Sequence, residues 1–102
     1  MKKVIDGLVY NTETAEEIAS YSYLGNSDFR HVDETLYKTK KGKYFLAGSG
    51  GPMSKYAVPV GNSGYGGGEG IIPLTVEEAR EWCEKHDIDT DVIIQEFTIE
   101  EA

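Results

Sequence analysis

The sequence predicts an α+β fold, with a small antiparallel sheet of β-hairpins carrying two or three short helices. Three observations predict it. "VIDGLVY" (4–10) sets Asp-Gly between two apolar pairs, and two strand-like runs flank "KTKKGK" (38–43). Thr75 and Glu78 stand at capping-box spacing ahead of an amphipathic run. Asp-Gly supplies the positive φ angles of a tight hairpin turn, and a capping box marks a helix start.

The elements follow in chain order. A first hairpin spans 4–10. In "NTETAEEIAS", Asn11 or Thr12 can cap a helix, Thr14 and Glu17 repeat the capping-box spacing, and Ala15, Ile18 and Ala19 make an apolar stripe. A helix of two turns is therefore expected over 13–20. "YSYLGNSDFRH" reads as a turn-rich connector around Gly25-Asn26. "ETLYKTKKGKYFLAGSG" is the clearest strand pair, with Leu36 on one face and Tyr37 on the other. Lysines at its tip stay solvated and discourage edge-to-edge pairing.

Nine of the twelve glycines fall in 47–70, and the stretch from about 48 to 70 reads as a mobile or tightly turning loop. Ile71-Ile72 is a brief extended segment. A helix then begins at Thr75 and places Val76, Ala79, Trp82, Cys83 and His86 on one face. Asp89 or Thr90 caps a final short helix over 90–97, although the β-branched Val92-Ile93-Ile94 suits a strand almost as well.

At 102 residues the chain is one domain. No apolar run is long enough to span a membrane. The N-terminus lacks an export signal core, and a single cysteine, Cys83, suits a reducing compartment. The expected location is the cytoplasm. Net charge is −8, unevenly divided. Residues 35–68 hold five lysines and no acid, whereas 69–102 hold eleven acids against Arg80 and Lys85. Acidic excess repels nucleic-acid phosphates and favours basic partners.

The glycine stretch does not read as a phosphate loop. "GSGGPMSK" lacks the Gly-Lys-Ser/Thr of a P-loop, and Pro52 removes a backbone donor. Cys83 and His86 are three apart, too few for a zinc site, and read as a packed thiol and a histidine whose charge favours the helix C-terminus. Asp33 and Glu34 point to opposite faces of a strand, so they do not act as paired acids. No catalytic residue, cofactor or metal ligand is assigned, and the chain is expected not to be an enzyme.

The acidic end carries the sharpest signal: Glu77, Glu78, Glu81, Glu84, Asp87, Asp89 and Asp91 lie within fifteen residues. On a helix, 77, 81 and 84 form one row, with 78 beside 81. This reads either as a solvated helix face or as a surface that imitates the charge of a nucleic-acid backbone and fills a basic groove on a partner. Tyr56 and Tyr65, within the glycine stretch, would add shape-specific contact. Two other readings stand beside it. Lys38, Lys40, Lys41 and Lys43 could serve a nucleic-acid-associated accessory protein, against which whole-chain acidity argues. The glycine stretch could serve a small nucleotide-binding protein. A Tyr-rich sheet face would also be a place for a homodimer to form.

Three blocks together, "DGLVYNTETAEEIA", "ETLYKTKKGKYFLAGSGGPMSKYA" and "IIPLTVEEAREWCEKH", make nearly the whole chain resemble a family of small proteins carried by phages, prophages and plasmids of Gram-positive bacteria. The middle block is the most specific. Such proteins often come from gene neighbourhoods that hold anti-defence genes, anti-CRISPR genes among them. The resemblance implies a partner such as a CRISPR effector and brings no catalytic residues with it.

Overall fold

A computed structural model describes residues 1–25 and 27–102. It is α+β, with antiparallel sheets and two helices. The first hairpin pairs β1 (Lys2–Ile5) with β2 (Leu8–Asn11), and its turn residues Asp6 and Gly7 both have positive φ, 51° and 78°. Two positive φ angles match the right-handed twist of the flanking strands, which is why Asp-Gly serves here.

The main sheet contains β3 (Glu16–Tyr23), β4 (Val32–Lys38), β5 (Tyr44–Gly50) and β8 (Gly68–Leu74) in that spatial order, all antiparallel. Between β5 and β8 the chain makes a separate small hairpin, β6 (Val58–Val60) with β7 (Gly64–Gly66). Helix α1 (Val76–Lys85) and helix α2 (Thr90–Glu96) follow, so the second of the open alternatives at 90–97, the strand, is not the one adopted. The capping box at Thr75 and Glu78 is present with both reciprocal bonds, at 3.1 and 2.9 Å.

Alternation along β4 and β5 sorts the two faces. Leu36, Tyr44 and Leu46 meet Ala79, Trp82, Cys83 and Phe97 beneath the helices. On the opposite face Phe45 and Ile71 meet Tyr10 of the first hairpin, where Tyr10 stands edge-on to Phe45 at 5.4 Å and Tyr37 stacks on it at 5.2 Å. The sheet is thus covered by helices on one face and partly by a hairpin on the other.

Two local expectations give way. No helix forms over 13–20: the Asn11 side chain accepts from Glu13 N at 3.0 Å and closes a turn, and β3 begins at Glu16. The reason is a β-bulge between Glu17 and Ala19. A bulge sets two consecutive residues toward one side, so Ile18 and Ala19 both reach the helix-side core and imitate helical spacing. The strict Ser-Tyr-Ser-Tyr alternation over 20–23, of which Ser20 falls in the expected helix and 21–23 in the expected connector, is the true strand signal. Of the turn centred on Gly25-Asn26, Asn26 lies outside the described residues.

The stretch 48–70 is likewise not one loop. Its first three residues belong to β5, its last three to β8, and 58–66 is largely the β6–β7 hairpin. Glycine is needed there for close approach rather than for looseness. A Cβ on Gly48 would overlap the Tyr56 ring, and one on Gly68 would overlap the Tyr56 carbonyl. The segment between β5 and β6 therefore folds back over the sheet only because the sheet is bare of side chains beneath it.

Gly48→Ala should destabilise the fold by about 2 kcal/mol, the cost of forcing one extra carbon into a packed contact, read by urea denaturation. Wild-type stability for the variant would show that Tyr56 does not lie against Gly48.

Candidate functional site

Glu34 sits on the same phase of β4 as Leu36, so the alternation that buries the leucine also buries the carboxylate, which is 3% exposed. Isolated buried charge is costly and must be paired and hydrogen-bonded. Three groups meet that requirement. Tyr56 Oη donates to Glu34 Oε2 at 2.6 Å, Trp82 Nε1 donates to Oε1 at 3.0 Å, and Lys55 Nζ pairs with Oε2. Burial pushes the Glu34 carboxyl up, but the bonds from Lys55, Trp82 and Tyr56 outweigh it and hold the group below its ordinary 4.5. Burial, and then the Glu34 bond, push the Tyr56 hydroxyl upward, so it stays a donor.

One carboxylate therefore joins β4 to α1 through Trp82 and to the 51–57 segment through Lys55 and Tyr56. A second, smaller node at the other end of the sheet fastens α2. There Tyr44 Oη donates to Glu96 Oε1 at 2.6 Å, and Lys38 Nζ pairs with the same oxygen at 3.0 Å.

His86 ends α1 and stacks on Tyr21, ring centres 3.7 Å apart, with Trp82 edge-on at 5.2 Å. Burial lowers its basicity, which weakens the charge expected at this helix C-terminus, while its ring packs between Tyr21 and Trp82. Cys83 is wholly buried, and burial first, then Glu96 and Glu84, push its thiol up to about 11. At neutral pH it is a thiol, not a thiolate, and thus a poor nucleophile. Among the described residues no three of His, Cys, Asp and Glu converge to hold a metal ion. No helix among them is long and apolar enough to cross a membrane.

The sequence-derived contact residues divide into three groups. Tyr56 is 6% exposed with its hydroxyl committed to Glu34, so it is a structural residue and not a contact surface. The acids Glu77, Glu78, Glu81, Glu84, Asp87, Asp89 and Asp91 are all exposed. Among these, Glu78 completes the cap of α1, Glu84 pairs with Arg80 at 2.9 Å, and Asp89 caps α2 by accepting from Asp91 N at 2.8 Å. Among the described residues, Glu77, Glu81, Asp87 and Asp91 have no ion pair or side-chain hydrogen bond. Tyr65 lies on the β6–β7 hairpin opposite Pro59 and is 65% exposed, with exposed Val58 and Val60 on the hairpin's other face. The other tyrosines, Tyr23 apart, are buried or half-buried under the helices or the first hairpin, so no bare Tyr-rich sheet face remains.

Glu34→Gln should cost about 2–3 kcal/mol at pH 7, since it leaves donors without a charged acceptor. A carboxyl held lower in the folded chain than in the unfolded one stabilises the fold above the unfolded value. That contribution is lost as pH falls through the folded value. The gap between wild type and variant in urea denaturation should therefore shrink as pH drops below about 4.5 toward 3. A gap that is absent at pH 7, or that widens in acid, contradicts the assignment. Set beside known proteins, the chain matches no family model, no curated protein and no solved structure.

Proposed function

We propose that this chain is a non-enzymatic protein of a mobile element that binds a bacterial defence protein, such as a CRISPR effector, and inhibits or modulates it. The contact is stoichiometric. Acids of 77–91 enter a basic groove on the partner, and the β6–β7 hairpin with Tyr65 adds contact specific in shape. The supporting observation is the division of labour among the acids. Glu78, Glu84 and Asp89 have local structural work, whereas Glu77, Glu81, Asp87 and Asp91 face solvent with no ion pair or side-chain hydrogen bond among the described residues.

Like charges along one helix face cost a few tenths of a kcal/mol per pair. Glu77 and Asp91 lie in first helical turns, where the helix dipole offsets that cost. Glu81 lies beyond the first turn and carries it without that offset, as expected of a group kept for an outside partner. Between exposed charges the attraction acts mostly on association rate and partner choice, and salt screens it over about 8 Å at physiological ionic strength. The carboxylates here are 4 residues apart on α1, about 6 Å along the axis, within that range.

The test replaces only the unemployed acids, Glu77→Gln, Glu81→Gln, Asp87→Asn and Asp91→Asn, leaving both helix caps intact. Asparagine tolerates the positive φ of 54° at position 87. Affinity capture from a bacterial host lysate at about 50 and 500 mM salt should recover a basic protein with wild type at low salt only, and not with the variant. Recovery of the same protein by the variant, or recovery indifferent to salt, contradicts the reading.

A further inference from the structure

The lysine-rich tip between β4 and β5 is not a bare hairpin end. The β1–β2 hairpin lies against it, and the two enclose a groove of about 390 Å³. Leu8, Val9 and Tyr10 form one wall, and Lys40, Lys41 and Lys43 form the other. No carboxylate lines it. The fourth lysine of the cluster, Lys38, is taken up by Glu96, so the sequence cluster splits into one structural lysine and three without an ion pair among the described residues. The tip is held in shape by Thr39, whose hydroxyl accepts from Lys43 N at 3.0 Å and whose carbonyl accepts from Gly42 N at 2.9 Å.

The geometry points to a groove that binds the phosphate backbone of single-stranded nucleic acid, independently of the acidic surface. Three unpaired ammonium groups on one wall of a groove are complementary to successive phosphates. The opposite wall exposes the Leu8 side chain by 40%, an apolar surface for a base face, whereas the Val9 side chain alternates to the outer face of the hairpin. Only an unpaired strand presents such faces, since a duplex keeps them stacked inside. The net charge of −8 does not forbid this. Repulsion from acids beyond about 8 Å is screened at physiological salt, while lysines in direct contact act at full strength.

Fluorescence anisotropy with a fluorescein-labelled oligothymidylate of fifteen nucleotides tests the assignment. Three phosphate contacts predict a slope of log affinity on log salt of about −2, or 15- to 20-fold weaker binding at 200 than at 50 mM. Lys40→Gln/Lys41→Gln/Lys43→Gln should abolish binding, with an unchanged thermal melt confirming the fold. Lys2→Gln/Arg30→Gln/Lys85→Gln, which removes the same charge elsewhere, should retain it. No binding at 50 mM salt overturns the proposal, as does equal loss in both triple variants. Displacement of the oligonucleotide by a few millimolar inorganic phosphate at constant ionic strength also overturns it, because the groove would then hold one phosphate and not a strand. None of these outcomes depends on the lysate capture, so the two readings fail separately.

Discussion

A carboxylate taken out of water must be met by donors from whatever packs on it, and Glu34 imposes that constraint at the centre of this fold. Its three partners come from two separate parts of the chain: Trp82 from α1, Tyr56 and Lys55 from the segment after β5. The helix and the segment are thereby fixed to the same strand. Glycine at 48 is a consequence, because a tyrosine ring can reach Glu34 across β5 only where β5 carries no side chain. The placement of the β6–β7 hairpin is a further consequence, since the chain enters it directly from Tyr56.

The sheet also separates charge. The β4–β5 tip lies at one end with its lysines, and α1 starts at that end from Leu74 and runs back across the sheet to Glu34. Its acids line the outward side of the helix layer. Glu96 and Glu34 each draw one lysine into bonds with the packed elements, which leaves Lys40, Lys41 and Lys43 at the tip and most of the free acids of 77–91 on the helix layer. Separated single-sign surfaces steer macromolecular encounters in ways that mixed ones do not.

The fold class and most elements were legible because their signals are local: Asp6-Gly7 for the first turn, Thr75 with Glu78 for the helix start, and Leu36 against Tyr37 for strand phase. What escaped was set by tertiary contact. The bulge at Ile18 gave a strand the spacing of a helix, and no residue in 13–20 reveals a bulge by itself. The glycines of 48–70 read as looseness because the ring they accommodate, Tyr56, is known only from the packed chain. Glu34 did leave a signal: it shares the inward phase of β4 with Leu36, and a carboxylate on a buried phase asks for donors. The exposure of the acids was legible, but which of them hold caps depends on hydrogen bonds seen only in the fold.

The coupling between Glu34 and Tyr56 tests the central claim most directly. A double-mutant cycle with Glu34→Gln, Tyr56→Phe and the pair, read by equilibrium urea denaturation at pH 7, isolates it. A hydrogen bond between a phenol and a buried carboxylate predicts a coupling of about 1.5–3 kcal/mol. Additive losses, with coupling near zero, would mean that Glu34 does not hold the segment to the sheet.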